Sequence, residues 1–326
     1  MKILITGING FVGQHLTRYL LKQSEVTVFG LDTCIRSKNA ISTEPEVGLD
    51  KVVVYETDLM IPEQVNRTIA TIQPDGIFHL AARTSVPESY TDQPTTLLTN
   101  IIGTVNLLNA VRHTTQAKCR VVIACSSDQY GRVDPQELPI KEIQPFRPLT
   151  PYAVSKIGQE MVAYQYYLSY GLPTIRIRAF NHTGPGQRPD FVCPSFANQI
   201  AAIERNEQTA RIQVGNLDTR RDFTDVRDMV AAYWLAITQG VPGEVYNICS
   251  GQSYSMREIL NKLLACSSAK IEIVPDPNRT RPVDVPILEG DYTKFKSQTK
   301  WEPRIPFDQT LQDLLNYYRQ NRNTSS

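Results

Sequence analysis

With 326 residues, 34 Lys and Arg against 33 Asp and Glu, and a formal net charge of +1, the chain can bury a substantial core and has no charge excess to attract a polyanion. Hydrophobic residues make up 41% and charged residues 21%, as in ordinary globular enzymes, and no block of Lys and Arg points to nucleic acid or an anionic membrane as partner. Cys34, Cys119, Cys125, Cys193, Cys249 and Cys266 are scattered with no Cys-x-x-Cys pair, so neither a disulfide framework nor a structural metal site is expected.

Lys2 to Thr6 is an apolar run of strand length that meets a glycine turn, not a signal-peptide cleavage region. No uninterrupted stretch of about 18 apolar residues follows, so the expectation is a cytoplasmic protein with no membrane span. In Gly7-x-x-Gly10-x-x-Gly13, glycines permit a tight turn and close backbone approach to a pyrophosphate, and the next helix, Phe11 to Lys22, offers its first N–H groups to the anion. Gly7, Gly10, Phe11, Val12 and Gly13 are therefore candidate cofactor contacts. A second strand, Val26 to Leu31, leads to Asp32, 19 residues after Gly13. That is where a carboxylate reaches the ribose hydroxyls of NAD, although a turn or capping residue would look the same. Arg36 and Lys38 follow and could neutralise the extra phosphate of NADP, so NADH and NADPH both stay open.

A strand at Val52 to Glu56, a helix at Pro62 to Ile72, a strand at Gly76 to Leu80, a helix at Asn100 to Arg112 and a strand at Arg120 to Cys125 continue the alternation. The expected fold is α/β, a doubly wound parallel sheet of Rossmann type over residues 1–180. Asp58 and Leu59 after the third strand, and Leu80, Ala81 and Ala82 after the fourth, fall at strand carboxyl ends, where a crevice ligand lies. Ser126, Ser127 and Asp128 follow the fifth strand.

Tyr152 and Lys156 are spaced to share one helix face, so the ammonium is expected to favour ionisation of the phenol, whose reference pKa is about 10. Tyr292 and Lys296 repeat the spacing; order relative to Ser126 selects Tyr152, and Tyr292 is read as a surface helix residue. The helix is expected to run to about Tyr170, followed by a strand at Thr174 to Arg178 and a polar loop containing Asn181 and His182. Amphipathic helices at Pro194 to Arg205, Met256 to Ala265 and Phe307 to Tyr318 suggest a smaller mixed α/β substrate-binding domain over 181–224 and 249–320, with 225–248 returning to the sheet. Residues 321–326 read as a flexible tail.

The glycine spacing, Asn100, Ser126 and the Tyr152/Lys156 pair resemble the extended short-chain dehydrogenase/reductase family of nucleotide-sugar enzymes over nearly the whole chain. Phe180 to Gln187, Gly215 to Asp218 with Arg221-Asp222-Phe223, and Arg281 to Val285 are similar to its GDP-mannose branch. The resemblance implies reduction by NADPH or NADH of the C4 keto group of GDP-4-keto-6-deoxy-D-mannose, or alternatively GDP-mannose 4,6-dehydration or another epimerase or dehydratase reaction. A dinucleotide sensor without turnover is the non-enzyme alternative, against which the retention of Ser126, Tyr152 and Lys156 speaks.

By the same resemblance Ser126, Asp128, Tyr152 and Lys156 are catalytic, Asn100, Tyr152 and Lys156 also contact the cofactor, with Lys156 fixing its ribose, and Thr84, Ser127, Asn181, Arg221, Arg281 and Asp284 line the sugar nucleotide. For either arginine the bland reading is a surface or interdomain salt bridge. His182 is a scaffold touching the cofactor, and Asn100 is either an organiser of the Tyr152/Lys156 region or an exposed helix residue. Related dehydratases carry Glu where this chain has Asp128. A side chain one methylene shorter weakens the dehydratase reading. Surplus apolar residues on the helices containing Asn100 to Arg112 and Gln159 to Tyr170 suggest, with the family, a homodimer; burial within one monomer is the alternative.

Overall fold

The computed structural model describes residues 1–34, 52–115, 118–279 and 285–321. In chain order these form β1 (Lys2–Thr6), α1 (Phe11–Leu20), β2 (Thr27–Asp32), β3 (Val53–Glu56), α2 (Pro62–Ile72), β4 (Gly76–His79), α3 (Val86–Thr91), α4 (Gln93–Leu97), α5 (Gly103–Thr114), β5 (Arg120–Ser126), α6 (Pro151–Tyr170), β6 (Thr174–Ala179) and β7 (Asn181–Thr183). There follow α7 (Val192–Glu204), β8 (Arg211–Val214), β9 (Arg220–Asp225), α8 (Val226–Gln239), β10 (Val245–Ile248), β11 (Ser253–Ser255), α9 (Met256–Ala265), β12 (Glu272–Pro275), β13 (Ile287–Leu288), α10 (Thr293–Thr299) and α11 (Phe307–Gln320).

Seven strands make one parallel sheet in the order β10-β6-β5-β4-β1-β2-β3. Its order reverses between β1 and β4, which opens a crevice at their carboxyl ends. Strand periodicity divides the core. Ile3, Ile5, Phe78 and Ile177 face α1 and α8, while Leu4, Ile77, Val121 and Ile123 face α2, α5 and α6. A further core joins α7, β8, α9 and α11 through Phe196, Ile212, Ile259 and Leu314. There β9 pairs with β7, β11 and β13, and β12 pairs with β8.

The helix read from Asn100 onward begins earlier and irregularly. A π turn at Leu98–Ile102 joins α4 to α5 and carries a fully buried Asn100. Tyr292 is also placed differently from the sequence reading: it stands at the amino end of α10, half-buried, with its ring edge-on to Trp301 at 5.7 Å. The aromatic cluster of Tyr246, Phe295 and Trp301 draws that ring inward. No helix among the described residues is long and apolar enough to cross a membrane.

Candidate active site

The glycine loop sits at the crevice. Gly7 has φ +71°, and a Cβ there would lie 2.9 Å from the backbone of Ala81, so only glycine lets β1 turn this close to β4. A Cβ on Gly13 would stand 2.5 Å from the Gly7 carbonyl, so the third glycine sets how tightly α1 packs on the turn. Gly10 caps α1 without any side-chain hydrogen bond, and the first turn holds no acidic residue. Helix N–H groups are thus left for an anion.

A cleft of 2140 Å³ runs from this loop across the carboxyl ends of the strands. Gly7, Gly10, Phe11, Val12, Gly13, Asp32, Asp58, Leu59, Leu80, Ala81 and Ala82 all line it, as do Thr84, Ser126, Asp128, Tyr152, Asn181, His182 and Arg221. These residues fit a dinucleotide laid over the glycine turn with a second ligand beyond it. The Asp32 carboxylate accepts from the Asn9 N–H at 3.0 Å and the Thr33 N–H at 2.9 Å, so it also holds the loop. His182 Nδ1 lies 3.0 Å from the Phe180 carbonyl, its ring parallel to Phe11 at 6.3 Å, and burial lowers its pKa. Arg221 donates to the carbonyls of Arg220 and Val285, which anchors its guanidinium on the wall. Arg281 and Asp284 lie outside the described residues.

Helix α6 starts where Thr150 Oγ1 accepts the Ala153 N–H at 3.0 Å, with Pro151 in its first turn, and stops at Gly171, φ +67°. Within that first turn, Tyr152 reaches the cleft and hydrogen bonds with Ser126. Ser126 ends β5 and caps a short turn: its Oγ accepts from Asp128 N–H at 3.2 Å, and its own N–H donates to Gln129 Oε1 at 2.9 Å.

Three expectations need correction. First, the net shift of the Tyr152 phenol is upward, not downward. Burial raises the Tyr152 pKa well above its ordinary value and the Asp128 carboxylate raises it further, while the Ser126 bond opposes them. The Lys156 ammonium is held by the Ala124 carbonyl at 2.8 Å and Gln159 Oε1 at 2.7 Å, off the cleft wall, and burial lowers its pKa to about 8. Second, Ser127 is buried, 2% exposed, and forms no part of the wall, because the turn points it inward. Third, Asn100 does not line the wall as a cofactor contact would, and of its two readings the buried site excludes the exposed one and fits the organiser. Its side chain accepts from Arg83 N–H at 2.8 Å and donates to the Arg83 carbonyl and Ser155 Oγ, so it joins the loop after β4 to α6.

Several residues escaped the sequence reading. Gln129 donates to Glu160 at 2.7 Å, and fully buried Glu160 pairs with Arg178 at 2.7 Å and Arg176 at 3.4 Å. The Ser126-x-x-Gln129 spacing is a capping-box pattern and could have flagged Gln129. Gln159 follows Lys156 by three on the same helix face, a legible neighbour. His79, in an apolar strand, carried no such signal.

Residues 4–314 match the GDP-mannose 4,6 dehydratase family. The GDP-6-deoxy-D-mannose reductase of Pseudomonas aeruginosa is 35% identical over 96% of each chain, and the human GDP-mannose 4,6 dehydratase is 28% identical over 96% of this chain and 90% of its own. Among solved structures, RMD from Pseudomonas aeruginosa complexed with NADPH superposes with a TM-score of 0.83 at 32% identity, covering 98% of this chain and 99% of that one. The Thermus thermophilus UDP-glucose 4-epimerase complex with NAD gives 0.84 at 27% identity with the same coverage. A parallel sheet with its glycine turn at the β1/β4 crevice, a Ser126/Tyr152 pair beside it and likeness across nearly the full length together place this chain in the GDP-mannose 4,6 dehydratase family of extended short-chain dehydrogenases/reductases.

Proposed function

We propose that the protein is an NAD(P)H-dependent reductase that converts the C4 keto group of GDP-4-keto-6-deoxy-D-mannose to the alcohol of a GDP-6-deoxyhexose. The observation that carries this reading is the likeness to a reductase, 35% identity over 96% of each chain, against 28% to the human dehydratase. Asp128, one methylene shorter than the Glu of related dehydratases, points the same way. Burial and the Asp128 carboxylate raise the Tyr152 pKa, and a protonated phenol can give its proton to an alkoxide.

The bound dinucleotide supplies the hydride. Tyr152 gives its proton to the C4 oxygen, Ser126 holds that oxygen, and Lys156, mostly protonated at neutral pH, balances the phenolate left behind until a solvent proton restores it. Keto-sugar, hydride and one proton thus become alcohol. Asp128 lines the same cleft and orients the sugar hydroxyls. Asn181, Arg221, Arg281 and Asp284, with Thr84, are assigned to the sugar nucleotide, since an arginine fork suits phosphate oxygens. The dinucleotide is assigned to residues 1–180 with 225–248, and the substrate to 181–224 and 249–320.

The reading includes a homodimer. Val154, Met161 and Leu168 recur at seven-residue steps on α6 and are 44%, 40% and 63% exposed, and Leu98 and Ile102 add 50% and 40% from the π turn. Such an apolar stripe suits a second copy of the same helices. Six free thiols suit the reducing cytoplasm.

The test gives purified protein GDP-mannose with NAD+ and with NADP+, and the 4-keto-6-deoxy sugar with NADH and with NADPH, and follows nicotinamide absorbance and product NMR. Oxidation of the cofactor with the keto-sugar alone supports the reductase. Conversion of GDP-mannose without net cofactor consumption overturns it in favour of the dehydratase.

A further inference from the structure

A chain of buried hydrogen bonds leads from Lys156 away from the cleft, and its protons can all be assigned. Thr104 has one hydroxyl hydrogen, which goes to the Asn100 carbonyl at 2.7 Å. Its oxygen therefore only accepts from its two other partners, Gln159 Nε2 at 3.1 Å and His79 Nε2 at 2.8 Å. His79 is then the Nε2–H tautomer, and its bare Nδ1 accepts from Thr6 Oγ1 at 2.8 Å. Thr6 Oγ1 in turn accepts the N–H of Ala81, on the cleft floor, at 3.2 Å. Thr6, His79, Thr104 and Gln159 are at most 1% exposed, so water does not substitute for any of these partners.

The Gln159 amide therefore has one permitted orientation. Turning it over would aim its NH2 at the Lys156 ammonium and its oxygen at a Thr104 oxygen that has no hydrogen to give. Two like-for-like contacts would replace two hydrogen bonds in a buried site.

We propose that Gln159 is the positioning residue of Lys156: its side-chain oxygen, held toward the ammonium by the Thr104–His79–Thr6 chain, fixes where the lysine sits and keeps it charged behind Tyr152. This deepens the reductase reading and rests on it for the role of Lys156, while the Lys156–Gln159 contact stands on geometry alone. The ionisable groups whose charge couples with Lys156 are the Cys125 thiol from β5 and His79 from β4; beyond them, facing Cys125, come Glu160 and Tyr152 from α6, Arg176 and Arg178 from β6 and Tyr233 from α8, with Asp128 beside Tyr152. Glu160 is committed to Arg176 and Arg178, and His79 is held neutral by burial and the lysine charge. Gln159 is the only side chain bonded to the Lys156 ammonium among the described residues.

The experiment uses full-length protein labelled at lysine 13Cε, with the Lys156 signal assigned by its loss in Lys156→Met. Two volume-conserving variants push in opposite directions. Gln159→Met removes the acceptor and lowers the Lys156 titration midpoint by about one unit, and Gln159→Glu puts a carboxylate in its place and raises the midpoint by about one unit. Thr104→Val, which frees the amide to turn, lowers it by less. The alkaline limb of the kcat profile moves with each midpoint while KM for the keto-sugar holds. Midpoints that stay at the wild-type value, or that move the same way in Gln159→Met and Gln159→Glu, overturn the proposal; should one variant not fold, an unmoved midpoint in the other suffices. The titration needs no turnover, so a wild-type protein inert toward the keto-sugar sinks the reductase reading without deciding this one.

Discussion

Ser126 and Gln129 are locked together: the serine N–H donates to Gln129 Oε1 at 2.9 Å, and Gln129 Nε2 donates onward to the buried Glu160 carboxylate at 2.7 Å. The hydroxyl beside Tyr152 is thereby tied to an ion cluster inside the protein that also holds Arg176 and Arg178. Gln129→Leu leaves the Ser126 N–H unsatisfied and takes one donor from Glu160. We expect a stability loss of about 1–3 kcal/mol in urea unfolding. With the serine displaced, kcat falls roughly tenfold while dinucleotide affinity is retained, a split that steady-state kinetics and calorimetric titration can read. Unchanged kcat would detach Gln129 from the site.

Gly13→Ala tests the cofactor end. The added methyl group would meet the Gly7 and Ile8 carbonyls at 2.5 and 2.6 Å, both of them backbone, so α1 must move off the turn. Dinucleotide affinity measured by titration calorimetry should drop at least tenfold or so, because the helix N–H groups move with the helix. Native affinity in a folded variant would remove the pyrophosphate from this turn.

His79 makes stability depend on pH. Burial, with the nearby Lys156 charge, lowers its pKa from 6.5 to about 3. The folded state therefore excludes a proton that the unfolded chain takes up below 6.5. Stability from this residue is complete above pH 6.5 and is lost as pH falls toward 3. Between pH 7 and pH 5 the loss is on the order of 2 kcal/mol. His15 and His182 are shifted in the same direction and add to the slope. Urea unfolding at these two pH values, for the wild type and His79→Phe, isolates the His79 share: the variant should show a shallower fall, and parallel falls would contradict the assignment.

The assembly is tested at Met161, in the middle of the exposed stripe on α6. Met161→Glu places a charge where a second apolar face is expected, and burying it without a partner would cost more than the contact returns. Light scattering should find a dimeric wild type and a monomeric variant that still binds dinucleotide. A monomeric wild type would assign the stripe to something other than a second copy.

The sequence by itself determined the alternation of strands and helices, the glycine turn and which tyrosine sits at the crevice. Strand alternation such as Ile3/Ile5 against Leu4, the Gly7/Gly10/Gly13 spacing and the one-turn separation of Tyr152 from Lys156 are local periodicities, and local periodicity is written in the chain. Tertiary structure alone decided what surrounds those residues. That Lys156 is drawn to the Ala124 carbonyl of β5, that Ser127 points beneath the cleft wall and that His79 links Thr6 to Thr104 depend on partners that are distant along the chain and brought together only by sheet order. The phenol's protonation state belongs to the same class. Burial and the Asp128 charge raise its pKa against the Ser126 bond, because desolvation is a property of the packed interior and has no signature in spacing.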